Sequence, residues 1–395
     1  MSGDTHPSGF RRILRRERRH IASRPSLAFM LAPMPLLIFL TLAAVFAPGL
    51  PRDLPVAVVD LDGSTLSRQL VRMVDGASDV AVTQQVPSLS EARQALIARD
   101  VYAILMIPPE MERNLFLEQS PEIVIFSNSQ FLASGGAAAR SMGTSVLTLA
   151  AGVSLRLLES NGVGPDRAMD LITPIPVQQS PLFNPSLDYI QFLLSAIIPT
   201  VMQIFICAAA VLSFSRERHS PGGLSNFLQQ SGSAAQGIAG KLLPYTVLGT
   251  LVLLLGDVLL FTFFGADFRG NVLVFFLNGL LFILACQMLG ALIAMFATSA
   301  TGALGMMAVI VAPAFGFAGV SFPRFGMSGF AQAWGSIIPL TPYLELRTDQ
   351  TLRGAPLQYS APTMLWLFAL LIVFTTLLWI MLHMRARAVT AGGET

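Results

Sequence analysis

Residues able to do chemistry are few and scattered in this chain. The four histidines, His6, His20, His219 and His383, lie far apart, and the two cysteines, Cys207 and Cys286, both fall inside apolar runs. Neither set has the spacing of a metal site, and two such thiols do not make a disulfide scaffold. No HExxH, CxxC or GxSxG pattern occurs. Gly240-Lys241 could end a phosphate-binding loop, but that loop needs G-x-x-x-x-G-K-[ST], and Ala235 and Leu242 occupy its first and last positions. Asp60 and Asp62, in VVDLDGS, lack the remaining ligands of a calcium loop and read as a strand end, a turn and an N-cap. We therefore expect no catalytic residue, no metal and no cofactor held by this chain. What remains is charge in unusual places. Asp257 interrupts an apolar run, Glu345 and Arg347 sit in a Pro-rich segment near the C-terminal end, and Arg216-Glu217-Arg218 with Lys241 bracket a short polar loop.

The elements that must position these charges are apolar. Of the 395 residues, 53% are hydrophobic and only 12% charged. A soluble domain carries about 25% charged residues, too many for this chain to match and enough to show why it cannot wrap itself as a soluble globule. The same hydrophobicity excludes disorder. A spanning helix needs about 20 apolar residues. Six stretches qualify: 27–47, 189–213, 242–264, 271–297, 303–320 and 363–384. The first contains Pro33 and Pro35, which kink a helix. That run and its basic lead are both too long for a cleaved signal peptide.

Basic residues set the orientation. Residues 1–26 hold seven arginines against Asp4 and Glu17. The loop 214–241 has Arg216, Arg218 and Lys241 against Glu217, and the tail adds Arg385 and Arg387. The stretch 48–187 has nine arginines against fourteen acids. Six spans put every basic segment on one side, so both termini are expected in the cytoplasm and 48–187 outside. The seven N-terminal arginines also suit anionic headgroups.

That outer stretch reads as an α/β domain. VAVVD (56–60), VAVT (80–83), YAILMIP (102–108) and EIVIFSN (122–128) have strand patterns. Residues 64–74 and 88–98 have helical spacing, and Ser88 with Glu91 forms a capping-box pattern. A long Ala/Gly/Leu-rich helix is expected at about 131–160, and a Pro-rich connector at 174–185. Alternation of strand and helix favours a sheet covered by helices.

The loop FSRERHSPGGLSNFLQQSGSAAQGIAGKLLP (214–244) places Leu224, Phe227 and Leu228 at i, i+3 and i+4, one apolar face of a short helix. Such a face can dock a partner or pack on its own bundle. The chain here resembles the permease subunits of ABC-2 type exporters, also called type V ABC exporters. The likeness lies in an ordered set. Arg16-Glu17 and Ser23-Arg24-Pro25 precede the first span, Arg216-Glu217-Arg218 opens the loop, and Gly240-Lys241-Leu242-Leu243-Pro244 closes it. Gly319-Val-Ser-Phe-Pro323, Ile338-Pro339-Leu340-Thr341-Pro342-Tyr343, Arg347 and Leu352-Arg353-Gly354-Ala355 follow near the end.

The resemblance implies a layout. Residues 1–26 form a cytoplasmic amphipathic elbow helix, and 27–47 the first transmembrane helix. An extracytoplasmic α/β domain spans 48–187. Transmembrane helices 2–6 occupy 188–395, with the coupling loop at 214–241 and an outer re-entrant segment at 321–361. It also implies a function: half of an ATP-driven exporter in the bacterial inner membrane, moving an amphiphilic, drug-like, lipid-linked or peptide substrate. The expected partners are an ABC ATPase that binds ATP and Mg, a second permease copy or relative, and a periplasmic adaptor at the outer domain. No nucleic acid is expected. Arg216, Glu217, Arg218, Leu224, Phe227, Leu228 and Lys241 are candidates for ATPase coupling, and Asp257, Glu345 and Arg347 for a translocation path. The family's loop pattern departs at His219-Ser220-Pro221-Gly222-Gly223, and Gln229 to Gly232 is unusually polar. A weak lever of this kind suits an asymmetric pair with a second, related permease. The competing reading is a membrane receptor or scaffold that senses through its outer domain.

Overall fold

The computed structural model of the protein describes residues 9–46, 52–117, 119–172, 182–184 and 189–391. The expected connector at 174–185 lies outside the described residues apart from 182–184. The chain divides into two compact units, one of Met1–Gly49 with Pro181–Thr395 and one of Leu50–Ser180.

The first unit begins with α1 (Gly9–Ala22), whose Ile13, Glu17 and Ile21 form a buried i, i+4, i+8 stripe. Next come α2 (Pro25–Leu31) and α3 (Pro33–Phe46), bent by 40° at Ala32. The kink expected in the first apolar run thus falls at Ala32, just before Pro33. Ala32 precedes a proline, and the proline ring disfavours helical backbone at the residue before it.

The second unit is a four-stranded sheet with helices on both faces. The strands are β1 (Leu54–Asp60), β2 (Val80–Gln85), β3 (Ala103–Ile107) and β4 (Val124–Ser127). Their spatial order is β2-β1-β3-β4. β1 pairs parallel with both β2 and β3, and β4 closes antiparallel on β3. The parallel pairs are connected by α4 (Thr65–Asp75) and α5 (Leu89–Ala98). α6 (Met111–Phe116), α7 (Leu132–Ser160) and α8 (Pro165–Ile172) follow. The two-residue period of β1 sorts its side chains. Val56 and Val58 join α4 and α7 in one core, and Ala57 and Val59 join Ala92 and Ala95 of α5 in the other.

Two sequence signals work as read. Ser88 Oγ accepts from the Glu91 amide, and Asp60 accepts from the amides of Asp62 and Gly63 in a turn before the N-cap Ser64. α7 is long and apolar enough to cross a membrane by length and composition alone. It nonetheless packs Ala138, Met142, Leu149 and Val153 into the core beneath the sheet, so we count it with the α/β unit.

The first unit resumes with a wide π-type turn, Ile190–Leu194, leading into α9 (Ser195–Arg218). The short α10 (Gly223–Ser231) precedes α11 (Ala234–Val258), which ends in a second wide turn, Leu259–Phe263. α12 (Val272–Phe296), α13 (Ala300–Val311) and α14 (Ala314–Phe317) follow. Two short helices, α15 (Gly329–Ile337) and α16 (Leu340–Thr348), break at Ile338-Pro339 inside the expected re-entrant segment. A third wide turn, Asp349–Arg353, leads to α17 (Leu357–Ala391). Besides α7 and the bent α2–α3 pair, five stretches are long and apolar enough to cross a membrane: 190–218, 234–263, 272–296, 300–317 and 357–386. Their core runs from Ile190 to Ala386 and centres on α9 and α12.

Candidate functional site

Two buried charge clusters stand out in the first unit. The first joins four elements. Lys241 of α11, fully buried, donates to Glu17 Oε1 of α1 at 2.8 Å and to Glu217 Oε1 of α9 at 2.6 Å. Arg216 Nη2 donates to both oxygens of Glu17, at 2.5 and 2.6 Å. Arg16 reaches across to Glu217 at 2.5 Å and to Gln230 of α10 at 3.3 Å. The Tyr245 hydroxyl adds a bond to Glu17 at 3.1 Å. Phe214 and Phe227 face Lys241 at 5.8 Å each, packing edge-to-face with one another. Two carboxylates among three cations are each bonded more than once, as buried charges must be. Burial opposes the charge of Glu17, but Lys241 and Arg216 outweigh it and hold its carboxyl below the usual range.

Backbone contact explains the Gly-Lys pair. A Cβ on Gly240 would lie 2.8 Å from the Phe10 carbonyl oxygen, so α1 rests directly on α11 at this glycine. The motif is a packing notch followed by a bridging cation.

The second cluster is held by Arg347 of α16. Its Nη2 donates to Asp257 Oδ1 at 2.5 Å, its Nε to Ser195 Oγ at 3.2 Å and its Nη1 to the Tyr343 hydroxyl at 3.3 Å. Phe261 and Phe275 lie against the guanidinium at 5.9 and 5.1 Å, and Tyr343 stacks on Phe282. Ser195, Asp257 and Arg347 each lie within two residues of one of the three wide turns. Such turns inside helices are frequent at functional sites. Beside the pair is a cavity of about 580 Å³, lined among others by Phe192, Arg324, Glu345, Arg347 and Arg353.

The sequence-predicted residues sort as follows. Glu217, Lys241 and Arg216 come together, with Glu217 and Lys241 buried. Arg218 turns away to donate to the Ala294 carbonyl of α12 at 3.3 Å. Leu224 and Phe227 are 3% and 1% exposed and pack into the bundle with the half-buried Leu228. The apolar face of α10 is thus covered by the chain itself, and it anchors α10 instead of presenting it. What α10 and the first turn of α11 expose is Gln229, Gly232, Ser233, Ala235 and Gln236, a mostly polar surface. Asp257 and Arg347 meet, while Glu345 is exposed and stands apart on the cavity wall.

Sequence reasoning passed over Glu17, Tyr245, Ser195 and Tyr343 as site residues. Glu17 had a signal: it is the acid on an apolar stripe between Ile13 and Ile21, where a solvated carboxylate does not belong.

A helical bundle with several membrane-length apolar helices, an amphipathic helix locked to it by buried charge and no catalytic constellation among the described residues is built as a membrane transport subunit. Residues 24–380 match the family described as ABC-2 family transporter protein, and the chain belongs to that family. It is a multi-pass permease subunit of an ABC transporter, a family that works with an ABC ATPase subunit. Comparisons with curated proteins and with solved structures give no match.

Proposed function

We propose that the chain is one half of an ATP-driven exporter in the bacterial inner membrane. Both termini lie in the cytoplasm and the α/β unit lies outside, where it is placed to meet a periplasmic adaptor. ATP and Mg belong to the separate ATPase. The exported molecule is an amphiphile, drug-like, lipid-linked or a peptide, and the Asp257–Arg347 pair with Glu345 lines its outer route.

The observation that carries this reading is the cluster around Lys241. It ties α1, α9, α10 and α11 into one body, so a push on the exposed turn between α10 and α11 reaches two membrane-length helices directly. Coupling then falls on Gln229, Ser233 and Gln236, while Leu224 and Phe227 make the lever stiff. This polar contact supports pairing with a second, related permease whose loop couples more strongly.

The test is co-expression with the ATPase. Gln229→Arg and Ser233→Trp should reduce ATPase association and ATP-driven substrate accumulation in inside-out vesicles, with the permease still monodisperse. Unchanged association and unchanged accumulation in both variants would remove the docking assignment. A chain that captures no ATPase at all would favour the receptor reading.

A further inference from the structure

A cavity of about 370 Å³ lies where α1, α2, α9 and α11 meet, lined among others by His20, Arg24, Leu27, Met30, Leu212 and Arg216. Its size falls within the range of small-molecule sites. Its lining is ordered. Along α2 the chain passes from Arg24 to Leu27 to Met30, three residues at a time. Along α9, read backwards, it passes from Arg216 to Leu212. Both walls run from charge to hydrocarbon in step, so one end is cationic and the other apolar.

The cationic end has unspent donors. Arg216 commits only Nη2, to Glu17, and neither the Arg24 guanidinium nor the His20 ring has a hydrogen-bond partner among the described residues. No acidic side chain lines the cavity. The nearby Glu17 is already bound by Lys241, Arg216 and Tyr245. Burial, together with Arg216 and Arg24, pushes His20 below its ordinary value against the pull of Glu17. Three nitrogen-bearing side chains with no carboxylate among them thus share one end of the cavity.

We propose that this cavity is a binding site for one anionic phospholipid, its phosphate held by His20, Arg24 and Arg216 and its acyl chain laid along Leu27, Met30 and Leu212. A zwitterionic lipid fits less well, because no carboxylate in the lining would pair with its ammonium group. A free phosphate would leave the apolar end unused. Bound there, the lipid would join the elbow helix to α2 and α9.

The test uses the full-length chain in neutral detergent with equal amounts of phosphatidylglycerol and phosphatidylcholine of the same acyl composition. Native mass spectrometry reads the lipid retained. The wild type should hold one phosphatidylglycerol per chain in preference to phosphatidylcholine. Arg24→Gln should lower that preference roughly fivefold, the worth of one basic charge at a membrane surface. Arg12→Gln, exposed on α1 and outside the cavity, should leave it unchanged. Met30→Trp, which fills the apolar end, should lower retention of the lipid with monodispersity preserved. Equal retention of both lipids would overturn the proposal, as would equal losses in the Arg24 and Arg12 variants, the sign of diffuse attraction. Displacement of the lipid by millimolar inorganic phosphate, with no effect of Met30→Trp, would mark a free-anion site and would overturn it as well.

Discussion

Replacing Lys241 with Met leaves an unbranched side chain one atom shorter beside Phe214 and Phe227 and deletes the cation that faced both rings and bridged two carboxylates. Lys241 is 0% exposed and bonds Glu17 at 2.8 Å and Glu217 at 2.6 Å. Removing one partner of a buried pair costs about 3–5 kcal/mol, because a charge is left without compensation. Neither carboxylate is wholly abandoned here. Glu17 keeps Arg216 and Tyr245, and Glu217 keeps Arg16, whose side chain is 38% exposed and so screened by water. The cost therefore falls at the lower end, about 3 kcal/mol. At roughly 2–4 °C per kcal/mol, the apparent melting point should fall on the order of 10 °C.

Gel filtration after stepwise heating reads that shift. Limited trypsin digestion locates it, because the arginines on the outer side of α1 should be cut faster once the helix is released. A companion variant carrying Glu17→Gln and Glu217→Gln as well should recover most of the loss. Removing both sides of a buried pair is far less costly than removing one, and Arg16 and Arg216 can turn to water. A Lys241→Met protein within about 0.5 kcal/mol of wild type, the range of an ordinary surface substitution, would refute the reasoning.

Other expectations follow from the same geometry. Arg347→Leu should destabilise by about 3–5 kcal/mol, and adding Asp257→Asn should recover part of it; additive losses in a double-mutant cycle would deny that the two residues form a pair. Phe227→Asp should lower the yield of folded protein, because the ring is 1% exposed, whereas Gln229→Asp should leave folding intact; equal yields would place Phe227 outside the core. For topology, single cysteines at Ser90 and Gln229 should react with an impermeant thiol reagent from opposite sides of the membrane, the native Cys207 and Cys286 being buried and silent; labelling from one side would end the six-span arrangement. For pH, the folded-state pKa of Glu17 lies below its ordinary 4.5, so its stabilising effect is full above that pH and disappears as pH falls through the lower value. Glu17→Gln should flatten that acid limb of the melting curve, and an unchanged limb would assign it to other carboxylates.

The legible parts of the chain were those whose physics is local. Apolar runs of membrane length, the strand at Leu54–Asp60 and the caps at Ser64 and Ser88 each follow from neighbours a few residues away. The clusters do not. Lys241 and Glu17 are 224 residues apart, and Arg347 and Asp257 are 90 apart. The sequence could mark Asp257 as costly in an apolar run but could not supply its partner. Nor could the i, i+3, i+4 pattern at Leu224, Phe227 and Leu228 say what covers it. An apolar stripe states only that something does, and here α9, α11 and α17 do so from within the chain.

The spacing of the two clusters along shared helices gives them a common meaning. α9 begins at Ser195 in one cluster and nears its end at Arg216 and Glu217 in the other; α11 carries Lys241 seven residues after its start and Asp257 at its penultimate residue. At 1.5 Å per residue these separations are about 32 Å and about 24 Å, close to the roughly 30 Å of a bilayer's hydrocarbon. The two helices are therefore pinned by charge at both ends and by hydrocarbon packing between. Elbow and loop cannot shift against α9 and α11 without breaking buried ion pairs; under the proposed function, displacement at the α10–α11 turn would be carried across as a tilt of both helices together. The compliant places are the three wide turns beside Ser195, Asp257 and Arg347, where the helical hydrogen-bond ladder is already irregular. Motion started at the Lys241 end should accordingly be released at the Arg347 end, beside the cavity that Glu345 and Arg353 line.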